Sequence, residues 1–292
     1  MKRWLTACLC AVMLLVGQLT WVRAQVEEVV SLGADLNEKQ QQQMLELFGV
    51  KADEVKVIKV TNQEERDYLE GLVSNDKIGT RAISCAYVKP LPEGEGLVVE
   101  TYNISWVTKE MYANAMVTAG VENARVVAAA PFSVSGTAAL TGIMKAFEEV
   151  SGKELDEEAK KVANEELVTT GELGEDIGKD KAAALIKEIK ERIIRERIKD
   201  PEDIKRIILE IAKELNIELT EEQINRIIEL MEKISKLDLD IDRITSQLEN
   251  ISQRLDDIRK TVEENKGILQ RIWAAITGFI NWLQSLIEKI SS

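Results

Sequence analysis

The sequence predicts an α+β protein: a split βαβ, ferredoxin-like N-terminal module followed by an all-helical region that ends in a heptad coiled coil or helical bundle. Three observations predict it. Short β-rich runs alternate with capped helical stretches between residues 55 and 130, apolar positions recur every three or four residues beyond residue 180, and the spacing becomes a strict heptad from residue 234. The chain divides accordingly into residues 1–24, a signal peptide; 25–152, the α/β domain; 153–233, short helices; and 234–290, the heptad region.

Lys2 and Arg3 precede a mostly apolar stretch from Leu5 to Leu19, and Ala24 follows Val22 and Arg23. This is the pattern of a secretory signal peptide cleaved after Ala24. Its run from Ala11 to Leu19 is too short to span a bilayer. Cys8 and Cys10 fall inside the leader, so the exported chain keeps Cys85 alone and forms no internal disulfide.

Gln40 to Phe48 reads as a helix, started by Asp35-Leu36-Asn37-Glu38 and stopped by Gly49. Val55 to Val60 is a short strand, and Asn62 caps a helix through Leu72 with Glu65 in the capping-box position. Ala82 to Val88 and Leu97 to Ile104 surround the turn region Pro90-Leu91-Pro92-Glu93-Gly94 and fit a hairpin with a long loop. Thr108 caps a helix whose Met111, Ala115 and Ala119 share a face, and Gly120 ends it. Ala124 to Ala130 is the last strand, terminated by Pro131. The order is β-α-β-β-α-β, with a three-layer α/β fold of another strand order as the competing arrangement.

From Gly152 the acidic, lysine-rich stretch Lys153 to Lys161 opens a helical region broken near Gly171, Gly174 and Gly178. Leu185, Ile189, Ile193 and Ile194 mark one helix, and Asp200-Pro201 starts another carrying Ile204, Ile207, Ile208, Ile211 and Leu215. Thr220 and Gln223 form the capping box of a third, with Ile224, Ile227, Ile228 and Met231 on its buried side. Ile234, Leu237, Ile241, Ile244, Leu248, Ile251, Leu255, Ile258 and Val262 then follow at spacings of three and four. Asn265 interrupts the series and Gly267 offers a break, before the phase resumes from Leu269 to Ile290. With Leu248 and Leu255 at a and Ile251 and Ile258 at d, a homo-oligomer and an intramolecular bundle bury the same stripe, and both stay open. Residues 268–290 are amphipathic, with Trp273, Phe279 and Trp282 on the apolar side, a pattern compatible with peripheral membrane contact.

Composition excludes whole classes of function. The chain has 51 acidic and 38 basic residues, a net charge of -13, and no histidine. Nucleic acid is therefore not expected as a partner, and histidine triads, histidine-bound zinc and an imidazole base are ruled out. No complete phosphate-binding loop occurs, and no cofactor or metal is expected. Asp238, Asp240 and Asp242 lack the glycine turn and terminal glutamate of a calcium loop and read as solvated helix charges.

The segment Ala128-Ala129-Ala130-Pro131-Phe132-Ser133-Val134-Ser135-Gly136-Thr137-Ala138-Ala139-Leu140 is the most distinctive local feature. Phe132, Ser133, Ser135 and Thr137 form either a binding pocket at a helix start or a set of turn hydrogen bonds that permits close packing. Together with the leader, Gly33-Ala34-Asp35-Leu36 and Gly142-Ile143, it resembles an uncharacterised exported bacterial family, domain of unknown function 1002. The resemblance covers Val26 to Gly152 and, more loosely, the helices beyond. It implies an extracytoplasmic protein of a Gram-positive bacterium and supplies no activity, cofactor or catalytic residue. The expectation is thus a noncatalytic extracytoplasmic binding or assembly protein, partnered by a second copy or an envelope protein. A cell-envelope hydrolase using carboxylate or serine chemistry, and a membrane-surface structural protein, are the alternatives.

Overall fold

The computed structural model describes residues 28–73, 78–249 and 251. The expected leader, and Leu255, Ile258, Trp273, Phe279 and Trp282, lie outside the described residues. The elements in chain order are β1 (Val29–Gly33), α1 (Glu38–Phe48), β2 (Lys56–Val60), α2 (Asn62–Leu69), β3 (Cys85–Pro90), β4 (Leu97–Ile104), α3 (Lys109–Ala119), β5 (Ala124–Val134), α4 (Ala139–Ser151), α5 (Glu157–Ile177), α6 (Lys179–Glu196), α7 (Pro201–Glu214) and α8 (Glu221–Ile234). Residues 241–249 are also helical. An α/β part and a helical part are both present, as the sequence predicts.

The strand order is not that of the ferredoxin-like module. The sheet runs β2-β1-β3-β5-β4, and its first central strand, β1, was absent from the sequence expectation. Val29–Gly33 is buried at every position, so it lacks the inside-outside alternation that reveals a half-buried strand. β1 pairs in parallel with β2, β4 pairs in parallel with β5, and β3 lies between the two pairs, antiparallel to both β1 and β5. The expected β3–β4 hairpin therefore does not form. β3 is buried over Cys85–Val88 and takes the centre, whereas β4 carries exposed Tyr102 and Asn103 and takes the edge.

Pro131 does not end β5. The β4 register shifts between Tyr102 and Ile104, so that Tyr102 faces Ala129 and Ile104 faces Val134. Asn103, in a left-handed conformation, makes this bulge and donates through Nδ2 to the Ala130 carbonyl at 2.8 Å. A proline has no amide hydrogen for a ladder, and a bulge is where a strand tolerates one.

α1 packs on one sheet face, over Val30, Leu32, Cys85, Tyr87 and Val127. α3 and α4 cover the other, and α5 to α8 stack beyond them. One continuous apolar cluster runs from Val29 in β1 through the sheet and helices to Ile251. α5 is unbroken at Gly171 and Gly174, contrary to the sequence expectation. Trp106 lies directly on α5, and an added Cβ at Gly171 would stand 2.1 Å from its ring. The helix ends only at Gly178, with φ 95°.

A buried ion pair joins the two parts. Lys190 of α6 donates to Glu166 Oε1 of α5 at 2.7 Å, to the Asn114 carbonyl of α3 at 2.7 Å and to Thr118 Oγ1 of α3 at 3.0 Å. Thr118 Oγ1 donates to the other oxygen of Glu166. Burial pushes the Lys190 ammonium down, and Glu166 opposes that shift.

The heptad does not begin at Ile234. α8 ends there, a turn spans residues 235–240, and Asp240 caps the next helix by accepting from the Arg243 amide at 3.1 Å.

Candidate functional site: a charged cleft between three helices

The capping box of α2 decides what faces the cleft. Thr61, rather than Asn62, is the N-cap, with Glu64 as its reciprocal partner: Glu64 accepts from the Thr61 amide at 2.8 Å. This one-residue shift sends Glu65 inward. Its side chain is on a residue only 1% exposed, Oε2 accepts from Asn62 at 3.3 Å, and Oε1 has no hydrogen-bond partner. Burial pushes its carboxyl up to about 8, with nearby Asp35 and Glu64 adding to the shift against Asn62 and Arg66.

Glu64, Asp67 and Tyr68 of α2 form one wall of a cleft of about 360 Å³, completed by Thr141, Met144, Lys145 and Glu148 of α4 and Glu157, Lys160 and Lys161 of α5. Lys145 pairs with Glu64 and donates to the Lys59 carbonyl at 2.9 Å. Lys160 lies 3.0 Å from Glu148 and 2.6 Å from Glu157, and Tyr68 donates to Glu157 at 3.0 Å. Burial pulls the Lys160 ammonium down, but Glu157 and Glu148 outweigh it, so the group stays charged. Thr141 is 4% exposed and its Oγ1 has no partner.

The sequence-predicted binding residues lie elsewhere and are not all accessible. Phe132 is 45% exposed and Ser133 is exposed, whereas Ser135 is half-buried and Thr137 is buried, with their hydroxyls 3.4 Å apart. Tyr112 donates to the Gly136 carbonyl between them. Gly136 has φ 94°, and a Cβ there would stand 2.4 Å from Ile104. Leu248 and Ile251 are 0% and 6% exposed within the chain's own core. Asp240 is a helix cap, and among the described residues no cluster of three or more Cys, Asp or Glu could hold a metal ion.

A family model described as "Protein of unknown function (DUF1002)" matches residues 32–251, most of the described chain. The chain belongs to the DUF1002 family. It is 46% identical over 242 residues to a Bacillus subtilis (strain 168) protein described as "Uncharacterized protein YpuA", covering 82% of this chain and 83% of that protein. No solved structure matches it.

Two of the segments that carry the DUF1002 resemblance, Gly33-Ala34-Asp35-Leu36 and Gly142-Ile143, meet on β1. Asp35 accepts from the Ala82 amide through Oδ2 at 2.7 Å, tying the end of β1 to the approach to β3. Gly142 of α4 lies on β1, where an added Cβ would stand 2.6 Å from Ser31 Oγ. These residues bring α4 down onto the sheet and so place Thr141 and Lys145 opposite α2. Cleft residues Glu64, Glu148 and Lys160 escaped sequence reasoning because they come from three separated helices, and on each helix they look like ordinary solvated charge.

Proposed function

We propose that this DUF1002 protein is a noncatalytic binding or assembly protein that works outside the cytoplasm, with the α2–α4–α5 cleft as its ligand surface. The cleft carries the reading. Lys145 and Lys160 are held in place by Glu64, Glu148 and Glu157, and pre-positioned polar groups around a cavity of small-molecule size favour recognition of a polar ligand. The signal-peptide pattern of residues 1–24 and the relationship to a Bacillus subtilis protein support a place in the envelope of a Gram-positive bacterium. A second copy or an envelope protein would engage the stripe that continues through Leu255 and Ile258, and a bilayer surface would meet Trp273, Phe279 and Trp282.

Glu65 favours a second reading, a carboxylate hydrolase, because a carboxyl still protonated near neutral pH can serve as a general acid. Its burial beneath α2 keeps it from a substrate and weighs toward binding. The deciding experiment is a thermal-shift panel on residues 25–292 with soluble wall peptides and wall sugars. The expected result is stabilisation by one class that Lys145→Ala abolishes, with the ligand recovered intact. Stoichiometric breakdown products would replace the binding reading with the hydrolase.

A further inference from the structure

The cleft is not chemically symmetric. Its lining holds four carboxylates, from Glu64, Asp67, Glu148 and Glu157, against three ammonium groups, from Lys145, Lys160 and Lys161. Lys145 already answers Glu64, and Lys160 is shared by Glu148 and Glu157, so an incoming anion would meet carboxylates on all three helices. The unsatisfied groups are oxygens. Thr141 Oγ1 in the cleft wall, Glu65 Oε1 on the inner side of α2 and Ser31 Oγ beneath α4 are buried and have no hydrogen-bond partner. Buried polar oxygens left without partners are costly, on the order of 1–3 kcal/mol each, and a donor that reaches them recovers that cost.

Resting on the binding reading above, we infer that the cleft takes a ligand bearing a primary ammonium group, seated between Thr141 and the α2 carboxylates. An ammonium carries three donors and no acceptor, the complement of a wall that offers the unpaired Thr141 oxygen and more carboxylates than ammonium groups. Its arrival also acts on Glu65. A nearby cation favours the ionised carboxylate, so a side chain protonated at neutral pH in the free protein releases its proton when the ligand binds.

The test is titration calorimetry on residues 25–292 at pH 7 in two buffers of different ionisation enthalpy. The probes are n-butylamine, for a free amine, and Nα-acetyl-lysine amide, for a lysine side chain of a peptide, with the Nε-acetylated form of the second as the neutral control. Binding of either ammonium probe but not the control, with proton release, is expected, and the stronger of the two tells amine from peptide. Thr141→Val is expected to weaken binding about tenfold, the worth of one hydrogen bond to a charged group. Glu65→Gln is expected to abolish the proton release. Asp67→Asn, an exposed rim position, is expected to weaken binding without lowering the melting temperature, which separates recognition from folding. Absence of heat with both ammonium probes, or equal affinity for the acetylated control, overturns the inference and leaves the binding reading standing. A probe recovered chemically altered overturns the noncatalytic reading and leaves the site standing.

Discussion

At the scale of single residues, burial without full pairing makes Glu65 the main pH-sensitive group of the α2–α4 packing. Its folded-state pKa of about 8 exceeds the ordinary 4.5, so folding favours the protonated form. Stability from this group is therefore fully present below about pH 4.5 and declines as pH rises toward 8. Glu65→Gln keeps the neutral shape, and urea unfolding at pH 5 and pH 8 is expected to show the variant gaining on the wild type at the higher pH. An equal difference at both values would remove Glu65 as the cause. Lys190 is also shifted toward its neutral form by burial, and Glu166 opposes that shift. Glu166→Gln leaves that ammonium facing a neutral amide in a closed core, and a loss of about 3–5 kcal/mol is expected in the same measurement. Gly171→Ala drives a methyl group into the Trp106 ring and is expected to cost about 1–3 kcal/mol, read as a lower urea midpoint.

At the scale of elements, the helix at residues 241–249 belongs to the fold rather than to a detachable tail. Ile244, Leu248 and Ile251 are buried in the main cluster, and Arg243 pairs with Glu122 at 3.1 Å. Removing all residues after 233 strips four buried apolar side chains, Ile234, Ile244, Leu248 and Ile251, each worth about 1.5–3 kcal/mol. A chain ending at 233 is thus expected to melt well below one ending at 251, by differential scanning calorimetry. Light scattering on residues 25–251 and 25–292 then isolates the later heptads: an oligomer only in the longer chain would locate assembly beyond residue 251. Two elements resisted sequence reading for identifiable reasons. β1 is buried on both faces and so lacks a period, and α5 tolerates Gly171 because tertiary packing by Trp106 outweighs the low helix propensity of glycine.

At the scale of the whole molecule, the α/β and helical parts share one core, and the buried Lys190–Glu166 pair of the helical part bonds to Asn114 and Thr118 of α3, which predicts a single cooperative transition for the described region. Cys85 offers an independent probe. It is buried in β3, and burial pushes its thiol up to about 12, so it is expected to react with a thiol reagent only as the sheet opens. In urea, its labelling and the loss of far-ultraviolet helical signal are expected to coincide. Labelling well before the helices unfold would show that the two parts separate.

The caps of α3, α7 and α8 were legible because each depends on contacts within a few residues: Thr108 and Gly120, Asp200 and Pro201, and Thr220 and Gln223 act locally. Strand β4 was legible for the same reason, since a β-rich run carries a local signal. Strand order was not, because which strand occupies the centre depends on β1 and on how α3 and α4 cover the sheet. The cleft was even less accessible. Its charges come from residues 64–68, 141–148 and 157–161, and only the docking of α4 onto β1, where Gly142 admits Ser31, brings them together. Sequence by itself determined the class of protein and its local elements, which short-range periodicity and capping encode. Tertiary structure alone decided the order of strands, the inward turn of Glu65 and the composition of the cleft, because long-range packing selects which of many equivalent surface charges face one another.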